Sequence, residues 1–226
     1  MSFVSGFRVS KRSMGLIGLL LVLATVVTPM AASAHYLGGS WYYNKTFLLP
    51  ISYSNQAGGF PAYSSAITQG ASNWYATATP SDLYSTTGSA NVIANTISDS
   101  SQTYWGITHL YANQQFCFIF GCFNFNSEIP YGAYTSPTSL GSGWSNYTSG
   151  SITLNRWTLD VESDFTRTKV ATHELGHVQG LGHAYTPNCT SIMQQGYLSF
   201  NTPRPHDVYD FDLLYSGYWS LPAYAC

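Results

Sequence analysis

The sequence predicts an α+β domain, and three observations lead there. Short apolar runs rich in β-branched and aromatic residues occupy its first two thirds, one helix-period segment lies among them, and two more such segments close the chain. At 226 residues and 45% hydrophobic, with Trp 6, Tyr 18 and Phe 12, the chain can bury the core of a single domain. Only 8% of it is charged, which excludes a disordered chain and a nucleic-acid reader, since both depend on dense charge. Ser, Thr, Asn, Gln and Tyr must wet the surface instead, a composition associated with secreted proteins.

Phe47–Tyr53 reads as a strand, with Pro50 at an edge or bulge. Tyr63, Ile67, Ala71, Trp74 and Ala78 recur at helical spacing, so a helix is expected from Pro61 to Ala78. Strands are expected at Asn91–Ser98, Tyr104–Tyr111 and Ser151–Leu159, with a Gly/Ser-rich loop at Ser136–Gly150. Asp164 can cap a helix over Phe165–Gln179 that carries Val170, Leu175 and Val178 on one stripe and stops at Gly180. A last helix is expected over Pro205–Tyr215, with Asp207 near its positive end.

Arg8, Lys11 and Arg12 precede an apolar run from Met14 to Val27, then Pro29 and Ala32-Ser33-Ala34. This is the layout of a signal peptide over residues 1–34, and the run is shorter than the roughly 20 apolar residues of a membrane anchor. Of Lys+Arg 8 and Asp+Glu 10, the segment takes three cations and leaves five against ten. Residues 35–226 are thus expected as one secreted, extracellular domain without membrane attachment, and as a monomer. Cys117, Cys122, Cys189 and Cys226 are even in number in an oxidising compartment, so disulfides are expected. Of three connectivities, Cys117–Cys122 with Cys189–Cys226 is favoured over a cysteine metal site, for which the last two are too dispersed.

Half of the 6 histidines fall within eleven residues, His173-Glu174-Leu175-Gly176-His177-Val178-Gln179-Gly180-Leu181-Gly182-His183. Residues four apart share a helix face, so His173 and His177 can aim at one ion. Gly180 can take the left-handed conformation that ends the helix and returns His183 as a third ligand. Three neutral imidazoles leave tetrahedral Zn2+ one position for water, and Glu174 is placed to accept a proton from it.

This motif, with Met193 ten residues on in Ser191-Ile192-Met193, resembles the metzincin zinc endopeptidases, and most of all their matrixin branch. Asn73-Trp74 near the end of the first helix and Leu214-Tyr215 near the end of the last add to the likeness. The resemblance implies a twisted mixed sheet with two main helices in an upper lobe, about 35–180. It implies a small lower lobe with a C-terminal helix, about 181–226, and a peptide-binding cleft between, whose edge strand by position is Gly106–Tyr111. Met193 would pack beneath the metal. The chain departs from the branch at Ala184, where matrixins carry Ser or Thr and astacins Glu, and at Gln195, where astacins carry a tyrosine. Tyr197 is a nearby candidate for transition-state stabilisation. No cysteine lies between His35 and Phe116, so latency by a cysteine on the zinc is not expected.

His109 reads as an isolated strand histidine, and His206 and Asp207 as helix-opening residues that hydrogen-bond the lower lobe. The spacing of Asp207, Asp210 and Asp212 does not fit a calcium loop. Asn44, Asn146 and Asn188 head N-x-[ST] sequons. The function expected is a secreted zinc-dependent endopeptidase acting on peptides or proteins, with Glu174 as general base. The rival is a catalytically silent binding module for proteins or glycans, resting on the uncharged, aromatic-rich composition; an amidase on cell-wall peptides would share the chemistry.

Overall fold

The computed structural model describes residues 37, 39–41, 50–79, 81–118, 121–129, 145–184 and 190–216. The expected signal peptide, Cys189, Cys226, Asn44 and Asn188 lie outside them, as do most of the expected loop at 136–144 and the start of the strand expected from Phe47.

In chain order the strands are β1 (Gly39–Ser40), β2 (Ile51–Asn55), β3 (Leu83–Ser85), β4 (Val92–Ile97), β5 (Gly106–Phe118), β6 (Gly121–Glu128) and β7 (Ser145–Asn155). They order as β3-β2-β4-β7-β5-β6, with β1 also pairing β7. β5 alone runs against the others, antiparallel to both β7 and β6. Parallel neighbours require a crossover, and α1 (Pro61–Tyr75) supplies the one between β2 and β3. The remaining helices are α2 (Arg156–Leu159), α3 (Asp164–Val178) and α4 (Pro205–Ser216). The result is the mixed α+β architecture expected of a metzincin-like fold.

Alternation along the strands places Ile51 and Tyr53, Val92 and Ala94, Thr108 and Leu110, and Ile152 and Leu154 in the core. Register aligns them across the sheet: Tyr53 with Val92, Ala94 with Ile152, and Ile152 with Thr108. On the opposite face Thr153 donates to Asn95 at 2.8 Å. α1 and α3 pack on each other, and α3 contacts β5 and β7. Their approach is close, since a Cβ on Gly70 would meet Thr172 N at 2.9 Å. The Asn73-Trp74 pair stitches the helices: Trp74 Nε1 donates to Thr172 O at 2.8 Å, and Asn73 Nδ2 to Thr172 Oγ1 at 3.1 Å.

Several boundaries differ from expectation. α1 ends at Tyr75, short of Ala78. β5 continues past Tyr111 into a hairpin with β6 that the sequence reading leaves unassigned, and its register sets Cys117 opposite Cys122. Residues 145–150, expected as loop, are strand, because both β4 and β5 pair with β7 and tertiary pairing overrides weak intrinsic preference. Residues 156–159, expected as strand, are the short α2, started by Asn155, whose side chain accepts from Trp157 N. Ser163, not Asp164, is the N-cap of α3; its Oγ accepts from Thr166 N at 3.2 Å, while Asp164 sits in the first turn beside Arg167.

Candidate metal centre

α3 carries the first two histidines on one buried face. His173 Nδ1 is 2.8 Å from Ile192 O, and His177 Nδ1 is 2.7 Å from Leu181 O. A carbonyl can only accept, so each Nδ1 is the protonated nitrogen and each Nε2 keeps its lone pair. Burial, and after it the neighbouring His177, holds His173 well below the usual imidazole value. Burial followed by His183 brings His177 down to about 3. Both rings are therefore neutral at pH 7, the form a metal requires.

The turn after α3 brings in His183. Gly180 adopts φ +94°, and its N–H donates to His177 O at 2.8 Å, closing the helix as a left-handed glycine does. The last carbonyls of α3 are satisfied from far away in sequence. Trp41 Nε1 donates to Val178 O at 2.6 Å, Tyr215 OH to Gln179 O at 2.8 Å, and Leu37 N to Gly180 O at 3.0 Å. His183 Nε2 then lies 3.1 Å from His177 Nε2, and one nitrogen from each of the three rings falls within 4.8 Å of the others.

Glu174 is one step from His173 but faces β5. Thr108 Oγ1 donates to its Oε2 at 2.6 Å, and a Cβ on Gly106 would lie 2.7 Å from its Oε1. Only glycine at 106 leaves room for the carboxylate. Burial pushes the Glu174 carboxyl up from 4.5 to about 7, against the opposing pull of the Thr108 hydrogen bond and the Lys169 charge. A carboxylate titrating near neutrality is suited to moving protons.

Met193 lies 2% exposed beneath the site. A side chain on Gly176 would collide with its sulfur and with Trp74. The turn that holds it is tied to α4: Asp207 accepts from Ser191 Oγ at one oxygen, and from Ile192 N at 2.9 Å and Arg204 N at 2.7 Å at the other. Asp207 thus caps its own helix and also fixes Ile192, the residue whose carbonyl orients His173. His206 pairs with Asp210 at 3.4 Å within α4.

A cavity of about 340 Å³ opens over these groups, lined by Trp105, Gly106, Ile107, Lys169, the three histidines, Glu174, Gln195 and Gly196. Tyr197 is not in that lining; it is 71% exposed, donates to Glu162 at 2.6 Å and stands edge-on to Trp105. His109 pairs with Glu128 on β6. The sequence places Gly106 and Thr108 on the edge strand of the cleft but not against Glu174, and it does not single out Lys169. The contact with Glu174 carries no local signal, and Lys169 had one, its position a helical turn before His173 on the same face.

The donor set fits zinc. Tetrahedral coordination at 2.0–2.1 Å puts neighbouring ligand atoms about 3.3 Å apart, close to the 3.1 Å between His177 and His183. Among the described residues no other group of three metal-ligating side chains converges. A site of three convergent imidazoles with a buried carboxylate alongside defines the class of zinc metallopeptidases. The matrixin family profile matches residues 74–215, and the chain belongs to that family. The match runs from Trp74 on α1 to Tyr215 on α4 and so takes in the whole candidate centre. No curated protein matches the chain.

Proposed function

We propose that the protein is a secreted zinc endopeptidase of peptide or protein substrates, in which His173, His177 and His183 hold the metal and Glu174 is the general base. The observation that carries the reading is the Glu174 carboxylate, buried and oriented by Thr108 beside three convergent imidazoles. A binding module gains nothing from that arrangement, since an ionised carboxyl is costly to bury. Zinc in this site supplies Lewis acidity, acidifying water and polarising a carbonyl. Thr108 holds Oε2, so Oε1 is the atom assigned to take the proton of the attacking water and return it to the leaving amine.

Substrate binding follows from the sheet. The Gly106–His109 stretch of β5 pairs with β7 on one side, and among the described residues no strand pairs its other side. An extended peptide adding to that edge would run past Glu174 by backbone hydrogen bonds. Gly180 ends the helix for His183, Met193 supports the ligands, and Tyr197 stands edge-on to the cavity-lining Trp105, bonded to Glu162. Residues 1–34 as signal peptide, 35–226 as the monomeric catalytic domain, and Cys117–Cys122 and Cys189–Cys226 as disulfides complete the reading. No helix among the described residues is long and apolar enough to cross a membrane.

Glu174→Gln keeps the shape and the Thr108 contact and removes the base. Turnover should fall about 100- to 10,000-fold while the variant retains one zinc per chain by elemental analysis. A variant that cleaves at the wild-type rate would strip Glu174 of the role.

A further inference from the structure

The cavity wall contains one cation that the proposed reaction does not use. Lys169 lies one turn before His173 on α3 and is 4% exposed. Lysines are almost never buried this deeply unless paired. Here Nζ donates to Gln194 O at a long 3.4 Å and stands 5.9 Å from the centre of the Trp105 ring. The carboxylate whose charge acts on it, Glu174, is already bonded through Oε2 to Thr108. An ammonium has three donors, so one weak contact to a backbone carbonyl leaves capacity facing the cavity. The other cations among the described residues are placed elsewhere: Arg156 lies over Phe60, Arg167 over Tyr63 and Arg204 over Phe200. Gln195 and Gly196, which share the lining, are neutral. Burial draws Lys169 down to about 8, with the Glu174 charge acting the other way.

Resting on the peptidase reading, we propose that Lys169 is a specificity-determining residue that binds a carboxylate of the peptide substrate next to the scissile bond. An acidic residue at that position would meet a desolvated ammonium, where a charge-assisted hydrogen bond discriminates well against an amide of the same shape. The same chemistry could come from an Asp or Glu side chain or from a free C-terminus. An ammonium over an aromatic ring with one long backbone contact leaves a donor set that a carboxylate completes, and an apolar side chain would leave it uncompleted.

The test compares peptides that differ only by Glu against Gln at each position flanking the cleaved bond, with C-termini either amidated or free. The zinc-loaded wild-type protein should favour Glu at one position by about 10-fold or more in kcat/KM. That ratio should collapse towards one in Lys169→Met and survive in Lys169→Arg, with folding of both variants checked by circular dichroism. Preference that persists in amidated peptides assigns the carboxylate to the side chain, and preference seen only with free acids assigns it to the terminus. A wild-type ratio near one, or a ratio unmoved by Lys169→Met, would overturn the proposal. Binding of the same peptides to zinc-loaded Glu174→Gln, read by fluorescence anisotropy, separates the two readings. Tighter binding of the Glu peptide that Lys169→Met abolishes upholds Lys169 even if no peptide is cleaved, in which case only the peptidase reading fails.

Discussion

The two sides of the metal centre are built on different principles. His173, Glu174 and His177 sit on one regular helix, where 3.6-residue periodicity sets their mutual geometry and a serine cap and close packing on α1 set the helix. His183 and Met193 sit on irregular chain after Gly180, where no periodicity operates and each turn is held by a contact from elsewhere. Trp41, Tyr215 and Leu37 close the end of α3, and Asp207 of α4 holds the turn at Ser191–Ile192. The helix side is thus encoded locally and the return side by long-range hydrogen bonds. Damage to the return side should therefore reach the metal through its supports.

The sharpest way to break that asymmetry is Asp207→Ala. Removing a 1% exposed carboxylate that accepts from Ile192 N and Arg204 N strands both donors. The loss should be about 3 kcal/mol or more in urea denaturation. Because Ile192 O orients His173, zinc binding should also weaken by about 10- to 100-fold. Unchanged zinc affinity would show that the helix side holds the metal without help from the return side.

A slightly smaller effect separates the base from its ligand neighbours in the zinc-free protein. The folded-state values of His173 and His177 are depressed, so the stability they contribute is present above the unfolded imidazole value of 6.5 and is lost as pH falls towards about 3. Glu174 is the opposite case. Its folded value is raised from 4.5 to about 7, so its ionisation leaves the fold untouched below 4.5 and weighs on it as pH rises through 7. Glu174→Gln should then be more stable than wild type by about 3 kcal/mol at pH 8 and by well under half of that at pH 5. An equal gap at both pH values in urea titrations would contradict a buried, strained carboxylate.

What was legible in the sequence follows the same division. The pair His173 and His177 is read from spacing alone, and Gly180 from the need for a left-handed turn that the structure realises at φ +94°. Asp207 was legible as a helix-opening residue bonded to the lower lobe, though not as the support of Ile192. Thr108 and Gly106 were legible on the edge strand but not against Glu174, since they meet it across 66 and 68 residues and only the β5–β7 register and the seating of α3 bring them there. The β5–β6 hairpin and the first half of β7 were missed for the same reason: their polar, glycine-containing sequences become strand through pairing. Lys169 carries a positional signal, one helical turn before His173, but its burial in the cavity wall is a product of the fold.

The most direct test of the zinc-peptidase reading is turnover of a quenched-fluorescent peptide library by the zinc-loaded protein, repeated after chelation and again after zinc is restored. Cleavage should vanish on chelation and return with the metal. Cleavage that continues undiminished in the chelated, metal-free protein would contradict the central role given to His173, His177 and His183.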